Sequence, residues 1–216
     1  MQKLYLKLAV SAVCAFTISS FSVAPVVAGE DVVITFEPGF IPPSIGASKP
    51  TALSPTGEVI ELETVSNDAT NFVTQAIEGI YAFCSSASQT EYMVDCLGAG
   101  LADVADQLPD TGDYAEARAI LEDASQKLRA LATANKSTTL PKARLSGTIK
   151  AKPVRTKRLT PIKTPAISST GAQAAAILEE AETLLLRSVA NSDRRKVHYA
   201  QMAQAVGSQT ILLRSL

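Results

Sequence analysis

Between residues 69 and 132 the apolar positions recur every three or four residues. Phe72, Val73, Ala76, Ile77, Ile80, Phe83 and Cys84 make one stripe. Met93, Val94, Leu97, Leu101, Val104, Ala105 and Leu108 make a second. Tyr114, Ala117, Leu121, Ala124, Leu128 and Leu131 make a third, in the alternating steps of a packed helix seam. Such spacing puts each set on one face of an α-helix. Asn67 or Asp68 can cap the first helix, Ser88 with Glu91 reads as a capping box for the second, and Asp113 with Glu116 for the third. Pro109 stops the second helix. Gly98 and Gly100 fall inside it at a cost in helix propensity, which points to another backbone passing close. These signals predict a three-helix, up-down-up unit over residues 69–132.

The flanks are patterned differently. Over residues 29–68, Val32, Val33, Ile34 and Phe36 form a β-branched run that Pro38-Gly39 ends. Pro42, Pro43, Pro50 and Pro55 follow, and Glu58 to Val65 reads as a second strand. We expect an extended N-terminal arm there. Over residues 133–170 the apolar residues are single and scattered among Pro141, Pro153, Pro161 and Pro165, and nine Lys and Arg stand with no acid. Too little apolar surface is on offer to offset the entropy of ordering, so this segment reads as a basic, disordered linker. Helix returns at Ala172 and fills residues 171–216. Ala174, Ile177, Leu178, Ala181, Leu184 and Leu185 face one way, and Ser192 caps a last segment with Val197, Tyr199, Met202, Val206 and Leu213. The predicted fold class is mainly α, with the extended arm, the linker and C-terminal helices arranged around the three-helix unit.

Residues 1–28 carry the three-part pattern of a secretory signal peptide. Lys3 and Lys7 precede an apolar run from Leu8 to Ile18, and Val26-Val27-Ala28 supplies the small-residue end. Ser11, Thr17, Ser19, Ser20, Ser22 and Pro25 weaken the rival reading of a retained anchor. Cleavage after Ala28 predicts a periplasmic or secreted protein with no membrane span left, and Cys14 departs with the leader. Cys84 and Cys96 then remain, on either side of the first helix–helix turn, and in an oxidising compartment they read as a disulfide. Their spacing is far from Cys-x-x-Cys, and with one histidine in the chain we assign no metal site and no cofactor.

Charge divides the chain in two. Residues 29–123 hold 17 Asp and Glu against Lys49 and Arg118, whereas residues 124–216 hold 16 Lys and Arg against Glu179, Glu180, Glu182 and Asp193. Either the halves neutralise each other, or the basic half reaches an anionic partner. Lys150, Lys152, Arg155, Lys157 and Arg158 are the candidate contact residues. The partners considered are an anionic envelope component, an acidic protein, and a protein engaging the C-terminal helices. With no Trp and 5% aromatic residues, the core rests on small aliphatic side chains.

Signals for catalysis are weak. His198 follows Arg194, Arg195 and Lys196, there is no Gly-x-Ser-x-Gly element, and Gly98-Ala99-Gly100 sits in mid-helix rather than in a phosphate loop. The acid pairs Asp103/Asp106 and Glu179/Glu182 fit solvated helix faces, so no catalytic residue is assigned. Asn135-Lys136-Ser137 matches a glycosylation sequon. Gly112 to Ala117 is similar to the turn of a tetratricopeptide repeat, but no second copy follows at that period. We expect an exported, non-enzymatic helical module for interaction or scaffolding in the cell envelope. The alternatives are an envelope hydrolase and a small-ligand binding protein.

Overall fold

The computed structural model describes residues 51–53, 59–86, 89–149, 152–188 and 192–216. Residues 1–28, the run Val32–Phe36, Ser88 and Lys150 lie outside them. Ser66 opens the first helix, α1 (Asn67–Ser85), by accepting a hydrogen bond from the Ala69 amide at 3.1 Å. The cap therefore precedes both residues expected to supply it. After a single 3-10 turn (Thr90–Tyr92), α2 runs over Met93–Ala105, and α3 over Ala115–Ala134. The expected three-helix unit is present. Cys84 and Cys96, both buried, are bonded across the α1–α2 turn with their Cα atoms 5.9 Å apart.

Asp113 does not cap α3. Its Oδ2 accepts from the Val65 amide at 3.0 Å and its own amide donates to Glu63 O at 2.9 Å, which ties the α2–α3 joint to the chain entering α1. The approach needs Gly112, whose φ of 78° lies in the left-handed region and whose missing Cβ would strike Glu63 O. The glycines of α2 make room chiefly for side chains rather than for the backbone expected there; the one main-chain atom close by is Ser125 O, 3.2 Å from where a Cβ on Gly98 would stand. A Cβ on Gly98 would stand 2.7 Å from Arg129 Cγ on α3, and one on Gly100 would overlap Ile80 of α1. Helix α2 is thus gripped from two sides.

The C-terminal helices are α4 (Ile167–Arg187) and α5 (Asp193–Arg214). Helix α4 starts five residues earlier than expected, because Pro165 sits in the 3-10 turn Thr164–Ala166 that leads into it rather than breaking it. The helices neighbour one another in chain order, and α5 returns to pack on α1. Successive helices alternate in direction, so a closed cycle of five forces one parallel pair. That pair is α1–α5: Thr70 meets His198, and Ile77 meets Gln209 seven residues further along α1. Val73, Ile77, Leu97, Leu101, Leu121, Leu128, Leu178, Leu185, Met202 and Val206 fill the middle. Each such burial is worth about 1.5–3 kcal/mol. The parallel seam adds polar links, including Gln209 Nε2 donating to Ile77 O at 3.0 Å.

Two short antiparallel pairs accompany the helices: β1 (Thr51–Leu53) with β2 (Val59–Glu61), and β3 (Ser146–Ile149) with β4 (Lys152–Arg155). The first carries Ile60, with Leu62 and Val65 just beyond it, into the core. The second corrects the expectation of a disordered linker over 133–170. Its described residues form a ribbon that leaves the end of α3 and returns to α4. Ser137 N bonds Pro161 O, Ala143 and Leu159 exchange both backbone bonds, and Thr156 N bonds Leu145 O. Ala143, Leu145, Leu159 and Ile162 are buried. Averaged composition missed them because four well-placed apolar residues and a paired backbone suffice where a preformed helix surface receives them.

Candidate functional site

The ribbon is fixed to the start of α2 by groups that its own sequence does not advertise. Thr160 N donates to Asp95 Oδ2 at 2.6 Å, Ile162 N donates to Glu91 O at 2.9 Å, and Tyr92 Oη donates to Pro141 O at 2.7 Å. Asp95 is 3% exposed, and the Arg129 guanidinium stands 3.5 Å from its other oxygen. A buried carboxylate requires such partners. The signal was present in the sequence: Asp95 is a lone acid in the otherwise apolar run Tyr92–Leu97.

The five candidate contact residues are distributed as follows. Lys150 lies outside the described residues. Lys152 and Arg155 stand on β4, in register with Ile149 and Ser146. Lys157 is exposed, with its Nζ 3.8 Å from Asp103 Oδ1, and Arg158 is exposed. Burial, the larger effect, raises the Asp103 carboxyl above its usual range, and Lys157 offsets this in part. Of the six ribbon cations whose side chains are described (Lys136, Lys142, Arg144, Lys157, Arg158 and Lys163), Lys157 alone stands at ion-pair distance from an acid. The two halves of the chain touch, yet among the described side chains contact leaves most of the ribbon's cations without an acid at ion-pair distance.

A second polar cluster lies on the α1–α5 seam. Thr70 Oγ1 is 2.7 Å from Tyr114 Oη and 2.8 Å from His198 Nδ1. Tyr199 Oη donates to Asp113 O at 2.7 Å and accepts from Ala117 N at 3.2 Å, and Arg194 pairs with Asp113 at 2.8 Å. Burial raises both phenols above their usual range, against the lowering effect of the bonds they accept. A hydroxyl beside an imidazole resembles an activated nucleophile. Thr70 and Tyr114 are each 0% exposed, however, so no substrate reaches either oxygen. The cluster locks the first two turns of α5 to α1 and to the α2–α3 joint.

Between α2 and α3 an open depression of about 370 Å³ is lined by Ala102, Asp106, Glu122, Ser125, Gln126 and Arg129. In the sequon, Asn135 Nδ2 donates to Leu131 O at 3.0 Å, and the Ser137 hydroxyl is drawn into its own turn. Among the described residues no helix is long and apolar enough to cross a membrane. No protein-family model, curated protein or solved structure matches the chain.

Proposed function

We propose that this protein is a non-enzymatic helical module that binds an anionic partner through the basic ribbon between α3 and α4. The partner is an acidic component of the cell envelope or an acidic protein. The observation that carries the reading is the uncompensated charge: of the six ribbon cations whose side chains are described, five lack an acid within ion-pair distance, although the same chain carries an acidic half. The anchored base supports it as well, since a ribbon held on α2 presents its cations at lower entropic cost than a free tail. We place the protein outside the cytoplasm, in a periplasm or secreted, on the leader pattern of residues 1–28 and the Cys84–Cys96 pair.

Changing Lys150, Lys152, Arg155, Lys157 and Arg158 together to Gln tests the reading. Association with the anionic envelope fraction should weaken steeply with salt in the wild type and vanish in the variant. The melting temperature should move little, because exposed pairs such as Lys157–Asp103 contribute about 0–1 kcal/mol. Undiminished binding by the variant, or binding that ignores salt, would refute it.

A further inference from the structure

The open depression between α2 and α3 is reached by solvent, and its walls carry charge that the fold does not use. Two contacts set the order of that charge. Gly98 lies beside Arg129, and Arg118 Nη1 donates to Leu108 O at 2.7 Å, so the two helices run antiparallel. Asp106 and Glu122 therefore stand toward one end of the depression and Arg129 toward the other. Among the described residues neither acid has a cation at ion-pair distance; Glu122 only accepts from Gln126 Nε2 at 3.4 Å. Arg129 meets Asp95 through Nε at 3.5 Å, and its terminal nitrogens make no hydrogen bond. Ser125 lines the depression between the two ends. It is 2% exposed, yet its hydroxyl has no partner among the described residues. Thr133 on the same helix, by contrast, returns its proton to Arg129 O at 2.8 Å. A nearly covered donor left free beside a cavity is a group for a ligand to satisfy.

We infer that this depression binds a short peptide with free ends. Its ammonium group lies at Asp106 and Glu122, its carboxylate at Arg129, and one of its backbone carbonyls receives the Ser125 hydroxyl. The site goes beyond the ribbon and does not rest on its reading. The length of the ligand follows from the helix: Glu122 and Arg129 are seven residues apart, about 10 Å along the axis. Three extended residues span about 10 Å as well, whereas a free amino acid cannot reach both ends. The volume of about 370 Å³ lies within the range of small-ligand sites, about 300–1,000 Å³. Opposite charges at the two ends of one groove select against a diamine or a dicarboxylate, each of which is repelled at one end.

Titration of the whole mature protein with trialanine, followed by NMR at the Ala102 and Ser125 amides, tests the site. Both signals should shift and saturate. Acetylating the peptide's N-terminus or amidating its C-terminus should each weaken binding by about tenfold, since each removes one charged end. The C-terminal block reads the Arg129 end without disturbing its contact with Asp95. Asp106→Asn combined with Glu122→Gln should weaken the free peptide as acetylation does and leave the acetylated peptide's affinity unchanged. The melting temperature should hold in that variant, because both acids are exposed. Ser125→Ala should weaken binding severalfold while the melting temperature holds or rises, since a nearly buried, unpartnered hydroxyl is removed. No saturable shift, or binding that ignores either block, would overturn the site. So would a double variant that still tells the free peptide from the acetylated one as the wild type does.

Discussion

At the scale of single residues, the informative positions are polar groups in apolar surroundings. Asp95 holds the Thr160 amide and faces Arg129, so removing it strands a buried donor and a cation together. Asp95→Ala should cost about 1–3 kcal/mol, read as a lower denaturant midpoint, and should open the ribbon to proteases between residues 136 and 163. An unchanged midpoint with a resistant ribbon would contradict that role. Exposed pairs within one helix, such as Lys196 with Asp193 and Lys127 with Asp123, should matter far less. Residue types alone distinguish these cases poorly. Asp113 stands where a capping residue belongs, yet its carboxylate serves Val65 and Arg194. Thr70, Tyr114 and His198 come from three separate helical regions, and nothing local announces their meeting.

Among the elements, those with a repeating pattern were the ones legible beforehand. The stripes of α1, α2 and α3 mark the faces that are buried, because a helix has little choice about which side it turns inward. The ribbon was not legible, because its order comes from α2 beneath it and from backbone pairing across some twenty residues. The disulfide belongs to this scale, since it staples two helices. Closing a loop with a sequence separation of 12 is worth about 3 kcal/mol in the unfolded-state entropy model. Complete reduction should therefore lower the melting temperature by several degrees. Because both sulfurs are buried, mild reductant should act only as the protein unfolds. Free thiols in protein taken from its native compartment would count against the bond.

Across the whole molecule, tyrosine burial sets a limit in alkali. Tyr92, Tyr114 and Tyr199 all have phenols raised above 10.0, burial being the main cause. The folded state keeps these protons after the unfolded chain has begun to release them. Stability is therefore full below about pH 10 and falls as pH climbs beyond it. The melting temperature should drop over that range, and phenolate absorbance should grow in step with unfolding. Ionisation of these tyrosines near pH 10 with the fold intact would refute this. The sequence showed acidic and basic halves but not how they are arranged, because which helices become neighbours depends on shape complementarity rather than on net charge. The closed cycle bears on how the chain is made. Its last neighbour contact joins α1 to the final helix, Asp193–Arg214, so a chain delivered from its N-terminus, by a ribosome or through a channel, cannot complete the cycle until its tail arrives. Until then α1 lacks the bonds that His198 makes to Thr70 and Gln209 to Ile77.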